Sequence, residues 1–183
     1  MEFLSGDETR SYLEEQKRKL QKLINVVQDY KNSGESEMDD DIENYLTRFL
    51  VIRACGYIEE VYRRSVCWYV EYRSRPGIRD LVFNAKFSRG ANPTRDHIKR
   101  TLKDLDPVLE NDFLALLGDN DSLKSLVETR NKVAHGQSDT CTRRQAIEKG
   151  DLAIKIGDWF LENLFLSIVV NTFGWSVASF QVD

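Results

Sequence analysis

From about residue 41 to residue 72 the chain carries apolar side chains at helical spacing on two sides at once, which restricts it to folds with a central helix. Val51, Ile52, Cys55, Ile58, Tyr62 and Val66 form one stripe, and Leu46, Leu50, Tyr57, Val61 and Trp68 form a second. A helix that is apolar on two sides must be covered on both, so the expected architecture is an all-α, antiparallel bundle of four to five main helices with this one at its centre. Asp39, Asp40 and Asp41 place negative charge at its N-terminus, where the helix dipole favours it. The second stripe also contains Arg53, Glu60 and Arg64, a supporting polar stripe in which Glu60 and Arg64 are i,i+4 neighbours. These three either pair with one another or line a site, and local pairing is the simpler expectation.

The flanking segments continue the pattern. A first helix is expected over about 9–30, with Ser11 and Glu14 as a capping box near its start and Leu13, Leu20, Leu23, Ile24 and Val27 along its apolar face. Lys31 to Asp40 reads as a polar loop. Thr94 is placed to cap a helix containing His97, Ile98, Leu102 and Leu105, and Asp106-Pro107 reads as the N-cap and first residue of a further turn or short helix ending at Gly118, for a helical region of about 94–117. His97 has no second ligand at metal-binding spacing and is expected to be incidental. A helix over about 120–135 follows, then one over 143–170, opened by a Thr142/Gln145 capping box and carrying Trp159, Phe160, Leu164 and Ile168 on its apolar face. The tail 171–183, with Phe173, Trp175, Val177 and Phe180, is too apolar to be free and is expected to pack on the bundle or on a partner. Residues 1–183 are read as one domain.

With 183 residues, 41% of them hydrophobic, and only 3 prolines and 10 glycines, one helical core is expected. The net charge of −4 excludes a generic polyanion binder, so any nucleic-acid surface has to be local. Cys55, Cys67 and Cys141 are odd in number and scattered, which argues against a disulfide framework and a zinc site and for a reducing cytoplasm. Met1 to Asp7 lacks a signal-peptide pattern, and the apolar stretch Trp159 to Val170 is broken by Glu162 and Asn163, so neither secretion nor a membrane span is expected. The chain has no glycine-rich phosphate loop, no H-E-x-x-H, no G-x-S-x-G and no internal repeat.

The local exception in charge is Arg73 to Lys103, where nine Lys/Arg stand against Asp80 and Asp96, a balance of +7. Pro76-Gly77 and Gly90-Ala91-Asn92-Pro93 mark it as loop, with Phe83 and Phe87 available for base stacking or for ordinary packing. Arg73, Arg75, Arg79, Lys86 and Arg89, together with Lys132, are the candidates for holding an RNA backbone. A solvated surface loop is the alternative reading.

The run Glu128-Thr129-Arg130-Asn131-Lys132-Val133-Ala134-His135-Gly136 brings a fixed cation and a titratable imidazole to a helix end. On a wheel advancing about 100° per residue, Leu126, Val127 and Ala134 fall within about 60° of Leu123, and Arg130 lies near the middle of that stripe. An arginine there needs a carboxylate, a subunit interface or a ligand phosphate, and Glu60 is one candidate carboxylate. His135 points about 140° away on the same wheel, so convergence requires the helix to end before the imidazole or two chains to share a site. Gly136 favours the first, since it stands where a left-handed C-cap residue is expected. Arginine grips phosphate through a permanently charged fork, and an unperturbed imidazole titrates at about pH 6.5, so the pair suits metal-independent proton transfer beside a phosphodiester.

The string R-N-x-x-x-H, with Ala134 before the histidine and Gly136 after it, resembles the R-x4-6-H signature of the HEPN superfamily, all-helical domains that include many metal-independent ribonucleases. The likeness extends over about residues 41 to 170 and is strongest at 126 to 136. It implies catalytic roles for Arg130 and His135, an assisting role for Asn131, and a homodimer whose two motifs face one another. It also implies a metal-independent endoribonuclease leaving 2′,3′-cyclic phosphate and 5′-hydroxyl ends, without metal or cofactor, in a bacterial defence or toxin–antitoxin setting with RNA as substrate and an antitoxin or regulatory protein as possible partner. A non-catalytic HEPN module that binds nucleotide, RNA or protein is the alternative, and a purely structural helical dimer is a third.

Overall fold

The structure, a computed structural model, describes residues 6–31, 37–75, 77–88, 92–119, 121–137 and 141–166. The described chain is all-helical: α1 (Gly6–Asp29), α2 (Glu37–Arg73), α3 (Ile78–Lys86), α4 (Arg95–Leu105), α5 (Pro107–Leu117), α6 (Ser122–Ala134) and α7 (Arg143–Phe160), the last running into a π-helical turn, Leu161–Leu166. At 37 residues α2 is about 55 Å long. It is the hub of the bundle, packed by α1, α3, α6, α7 and the π-helical turn. Its fully buried residues include Leu50, Val51, Ala54, Ile58, Val61 and Tyr62.

Two close approaches hold α7 against α2 and α1. A Cβ at Gly157 would lie 2.4 Å from the Tyr57 hydroxyl, and one at Gly150 would lie 2.9 Å from Ile24 of α1. Tyr62 ties α2 to α4 by donating to Thr101 Oγ1 at 2.7 Å inside the core. Its ring also meets Phe87, His97 and Phe160 at centroid distances of 5.2, 5.7 and 5.5 Å. Full burial of a side chain such as Phe160 contributes about 1.5–3 kcal/mol.

Several local signals read from the sequence are present as geometry. The Thr94 side chain accepts from His97 N, Asp106 caps α5 with Pro107 at its first position, and Thr142 and Gln145 form a reciprocal capping box on α7. Other expectations need correction. Helix α1 begins at Gly6 rather than at Ser11, because its first turn docks on Trp68, where a Cβ on residue 6 would lie 2.4 Å from the ring, and because Thr9 is buried. Helix α2 begins at Glu37, earlier than expected. Residues 78–86, expected as loop, form α3 packed against α2. Ile52, assigned to a core stripe, is 39% exposed, while Phe87 is buried against Tyr62 as ordinary packing. The tail 171–183, with Ile168, lies outside the described residues.

Cys55 and Cys67 are buried free thiols. Among the described residues no helix is long and apolar enough to cross a membrane.

Candidate functional site

Helix α6 carries the motif to an exposed corner of the bundle. Its first two turns bury Leu123, Leu126, Val127 and Thr129, and the core-facing stripe stops there. Ala134, expected on that stripe, is exposed, because the last turn of α6 runs past the packed face. Arg130 occupies the transition between the two regimes, with its side chain 32% exposed. Its Nη2 stands 4.0 Å from Glu59 Oε2 of α2, and its Nη1 donates to Asn131 Oδ1 at 3.0 Å. The carboxylate partner is therefore Glu59 and not Glu60, whose oxygens are taken by Arg63 and, at 2.5 Å, by Arg64. Cys55 lies buried beneath; burial pushes its thiol up to about 11, with the Arg130 charge opposing that rise.

The helix ends at Ala134, and His135 is its C-cap. Gly136, at φ 67°, turns the chain out in the left-handed conformation that an L side chain resists. Gly136 N donates to Val133 O at 3.1 Å and Gln137 N donates to Lys132 O at 2.9 Å, the paired bonds of a Schellman cap. The His135 side chain is consequently held at the surface by backbone hydrogen bonds on either side of it, while Arg130 and Asn131 lie half-buried one turn earlier.

The supporting polar stripe is directed elsewhere. Arg53 donates to Gln16 at 3.4 Å and the Arg64 guanidinium sits 4.3 Å over the Tyr12 ring, both on α1. Glu60 and Arg64 satisfy one another, so these three residues brace α1 against α2 and are not brought to Arg130.

Three of the nine cations in the basic segment are paired with carboxylates. Arg79 pairs with Glu71 at 2.6 Å and with Asp80 at 3.3 Å, Lys86 with Asp104 at 2.7 Å, and Lys99 with Glu110 at 3.7 Å. Arg73 lies 4.7 Å over the Tyr69 ring. Arg75 is exposed, and Arg89 lies outside the described residues. Closer to the motif, exposed Lys132 and half-buried Lys149 line a depression of about 240 Å³ with Ser125, Glu128 and Thr129, and Lys149 donates to Ser125 at 3.0 Å. Glu59 and Lys149 were not singled out from the sequence; Glu59 follows Cys55 at i+4 on α2, a spacing that could have placed it beside Arg130 only once the α2–α6 packing was known.

His97 is enclosed by aromatic rings, with Nε2 buried and without a hydrogen-bond partner. Burial, then Lys86 and Arg100, hold its pKa below the ordinary histidine range. Among the described residues no group of three or more His, Cys, Asp and Glu side chains is arranged to hold a metal ion.

A family model described as RiboL-PSP-HEPN matches residues 13–160, which takes in most of α1, all of α2 to α7 and the whole motif. No curated protein and no solved structure matches the chain.

Proposed function

The chain belongs to the RiboL-PSP-HEPN family, and from that premise we propose that it is a metal-independent endoribonuclease acting as a homodimer. The observation that carries the reading is the helix end at which Arg130 is steadied by Glu59 and Asn131 while the Gly136 cap leaves the His135 side chain exposed. In this reaction the ribose 2′-oxygen attacks the adjacent phosphorus, its proton passes to His135, and the bond from phosphorus to the 5′-oxygen breaks. A proton returned to the leaving oxygen gives a 5′-hydroxyl and a 2′,3′-cyclic phosphate. Arg130 opposes the charge that builds on the phosphate oxygens, and Asn131 orients the guanidinium through its side-chain oxygen. Lys132 and Arg75 hold the backbone of the RNA, with Arg73, Arg79, Lys86 and Arg89 as peripheral contacts. The setting that fits such an activity is a bacterial defence or toxin–antitoxin system, in the cytoplasm, with an antitoxin or regulatory protein restraining the enzyme.

The test is cleavage of an end-labelled structured RNA with excess chelator, comparing wild type with His135→Ala at matched concentration. Cleavage by the wild type alone, with cyclic phosphate ends and with DNA untouched, is expected. Loss of cleavage on chelation, or equal cleavage by His135→Ala, would refute the mechanism. The second reading, a non-catalytic binding module, is favoured by one observation: Arg130 already meets a carboxylate of its own chain. RNA binding without cleavage by either protein would support it.

A further inference from the structure

Between α6 and α7 two lysines face one depression without an ion pair. Other cations on the bundle are matched: Lys17 pairs with Asp158 at 2.6 Å, Lys86 with Asp104 at 2.7 Å and Arg144 with Glu148 at 2.9 Å. Lys132 and Lys149 line the depression of about 240 Å³, and neither meets a carboxylate at ion-pair distance among the described residues. Lys149 is half-buried, and its ammonium has one neutral partner, Ser125 Oγ at 3.0 Å, which leaves two of its three N–H groups for something else. A partly desolvated charge in that state is costly unless an anion meets it.

Thr129 points to a ligand independently. It is the one buried residue of the lining, 9% exposed, yet its hydroxyl makes no hydrogen bond among the described residues. Thr47, also buried in a helix, donates to the carbonyl one turn earlier, Glu43 O, at 2.7 Å. Nor is the Thr129 hydroxyl among the buried polar atoms closed to solvent, so its opening is the depression. The first turn of α7 adds Gln145 and the positive end of its dipole. Glu128 is the only carboxylate of the lining; it is exposed and pairs with neither lysine. At about 240 Å³ the space falls below the about 300–1,000 Å³ of a pocket that encloses a whole small molecule, so it takes a charged group and not a nucleotide. Several donors with no aromatic surface among them suit the oxygens of a phosphate better than a base.

We infer that this depression binds a phosphate group of the RNA strand, with Lys132, Lys149 and Thr129 as donors. On a wheel advancing about 100° per residue, Ser125, Glu128, Thr129 and Lys132 lie about 160–260° from Arg130, on the far flank of α6. The helix is about 10–12 Å across, so the phosphate held here is not the one that Arg130 opposes but a neighbour of it. A strand joining the two crosses the exposed end of α6 at His135. The inference rests on the proposed function for the strand and its path, not for the anion site. An internal backbone phosphate and a phosphate at a strand end call on the same donors, and the test separates them.

The test is fluorescence anisotropy of a short labelled single-stranded RNA, made with a 5′-hydroxyl and with a 5′-phosphate. The full chain is used with His135→Ala as the parent, so that no RNA is consumed. Added to it are Lys149→Gln, Thr129→Val and the control Lys124→Gln, which removes the same charge from an exposed position of α6 outside the lining. Lys149→Gln and Thr129→Val should each raise Kd roughly 10-fold, and Lys124→Gln less than about 2-fold. Lys149→Gln should also flatten the slope of log affinity against log salt by about 0.7, whereas Thr129→Val, which removes no charge, leaves it as it was. Should Thr129→Val lose its helical circular dichroism, Thr129→Ala reads out the same hydroxyl. Losses with both RNAs assign an internal phosphate, and losses with the 5′-phosphate alone assign a strand end. A loss at either site variant no larger than at Lys124→Gln, or a parent that binds neither RNA, would overturn the inference. Binding as expected with no cleavage by the wild-type chain would refute only the ribonuclease chemistry, and cleavage alongside indifferent site variants would refute only this inference.

Discussion

Replacing Gly136 by alanine should be unfavourable although the site is exposed and uncrowded. No atom lies within 4 Å of a Cβ built at Gly136, so a steric argument predicts no effect. The backbone argument predicts otherwise. At φ 67° an L residue is strained by about 1–2 kcal/mol, while the smaller freedom of an unfolded alanine returns about 0.4–1 kcal/mol. The net expectation is a loss of about 1 kcal/mol. The chain could avoid the strain only by giving up the two Schellman bonds, Gly136 N to Val133 O and Gln137 N to Lys132 O, each worth about 0.5–1.5 kcal/mol. Escape is therefore no easier than strain. Gly136→Asn, which tolerates the left-handed conformation, should lose about half as much. Urea unfolding at one protein concentration measures both variants, since a dimer makes stability depend on concentration. If the His135 side chain is presented by this cap, Gly136→Ala should also cleave RNA more slowly under conditions where every variant is fully folded. An alanine variant as stable as wild type or more stable would refute the reasoning.

Three further outcomes are expected. His97 has its folded pKa below its unfolded value, so the stability it confers is complete above about pH 6.5 and is lost as pH falls toward the folded pKa; thermal melts of wild type should show this acid loss, and those of His97→Phe should show less of it. Glu59→Gln removes one 4.0 Å contact from a partly exposed pair and should change unfolding free energy by less than about 0.5 kcal/mol, whereas Glu60→Gln, which deserts both Arg63 and Arg64, should lose about 1 kcal/mol or more; equal losses would contradict the assignment of Glu59 and not Glu60 to Arg130. Burial pushes the thiols of Cys55 and Cys67 up to about 11, so at pH 8 a thiol reagent should modify half-buried Cys141 first and reach the other two only on unfolding, as mass spectrometry of the labelled peptides would show.

What could be read from the sequence was what is decided within a few residues. The caps at Thr94, Asp106 and Thr142 and the left-handed Gly136 are local chemistry, and they are visible in the run of residue types. The all-helical class followed from apolar spacing, because that spacing determines which faces have to be covered. Errors arose wherever a distant element decided the outcome. Trp68 extends α1 upstream of its apparent cap. Packing on α2 turns a basic, glycine-flanked stretch into α3. Glu71, Asp104 and Glu110 neutralise cations that look unopposed when counted along the chain. Ile52 is exposed although its spacing fits a core stripe, because periodicity places a residue on a face without saying whether that face is covered. At the candidate site the sequence indicated that Arg130 needs a carboxylate, but choosing Glu59 over Glu60 depends on a rotation of α2 against α6 that no local pattern encodes.

The partial neutralisation of the basic segment has a consequence for how any RNA would be held. Cations already bound to carboxylates of their own chain displace few ions from a nucleic acid, and each phosphate neutralised on a single strand contributes only about −0.7 to the slope of log affinity against log salt. Nine available cations would give a slope of about −6, whereas the six that remain once Arg79, Lys86 and Lys99 are paired would give about −4. Such a surface holds an RNA backbone without regard to sequence at low ionic strength and releases much of it as ionic strength rises. Discrimination between RNAs then falls to how well a bent or looped strand fits the corner that presents Arg130 and His135.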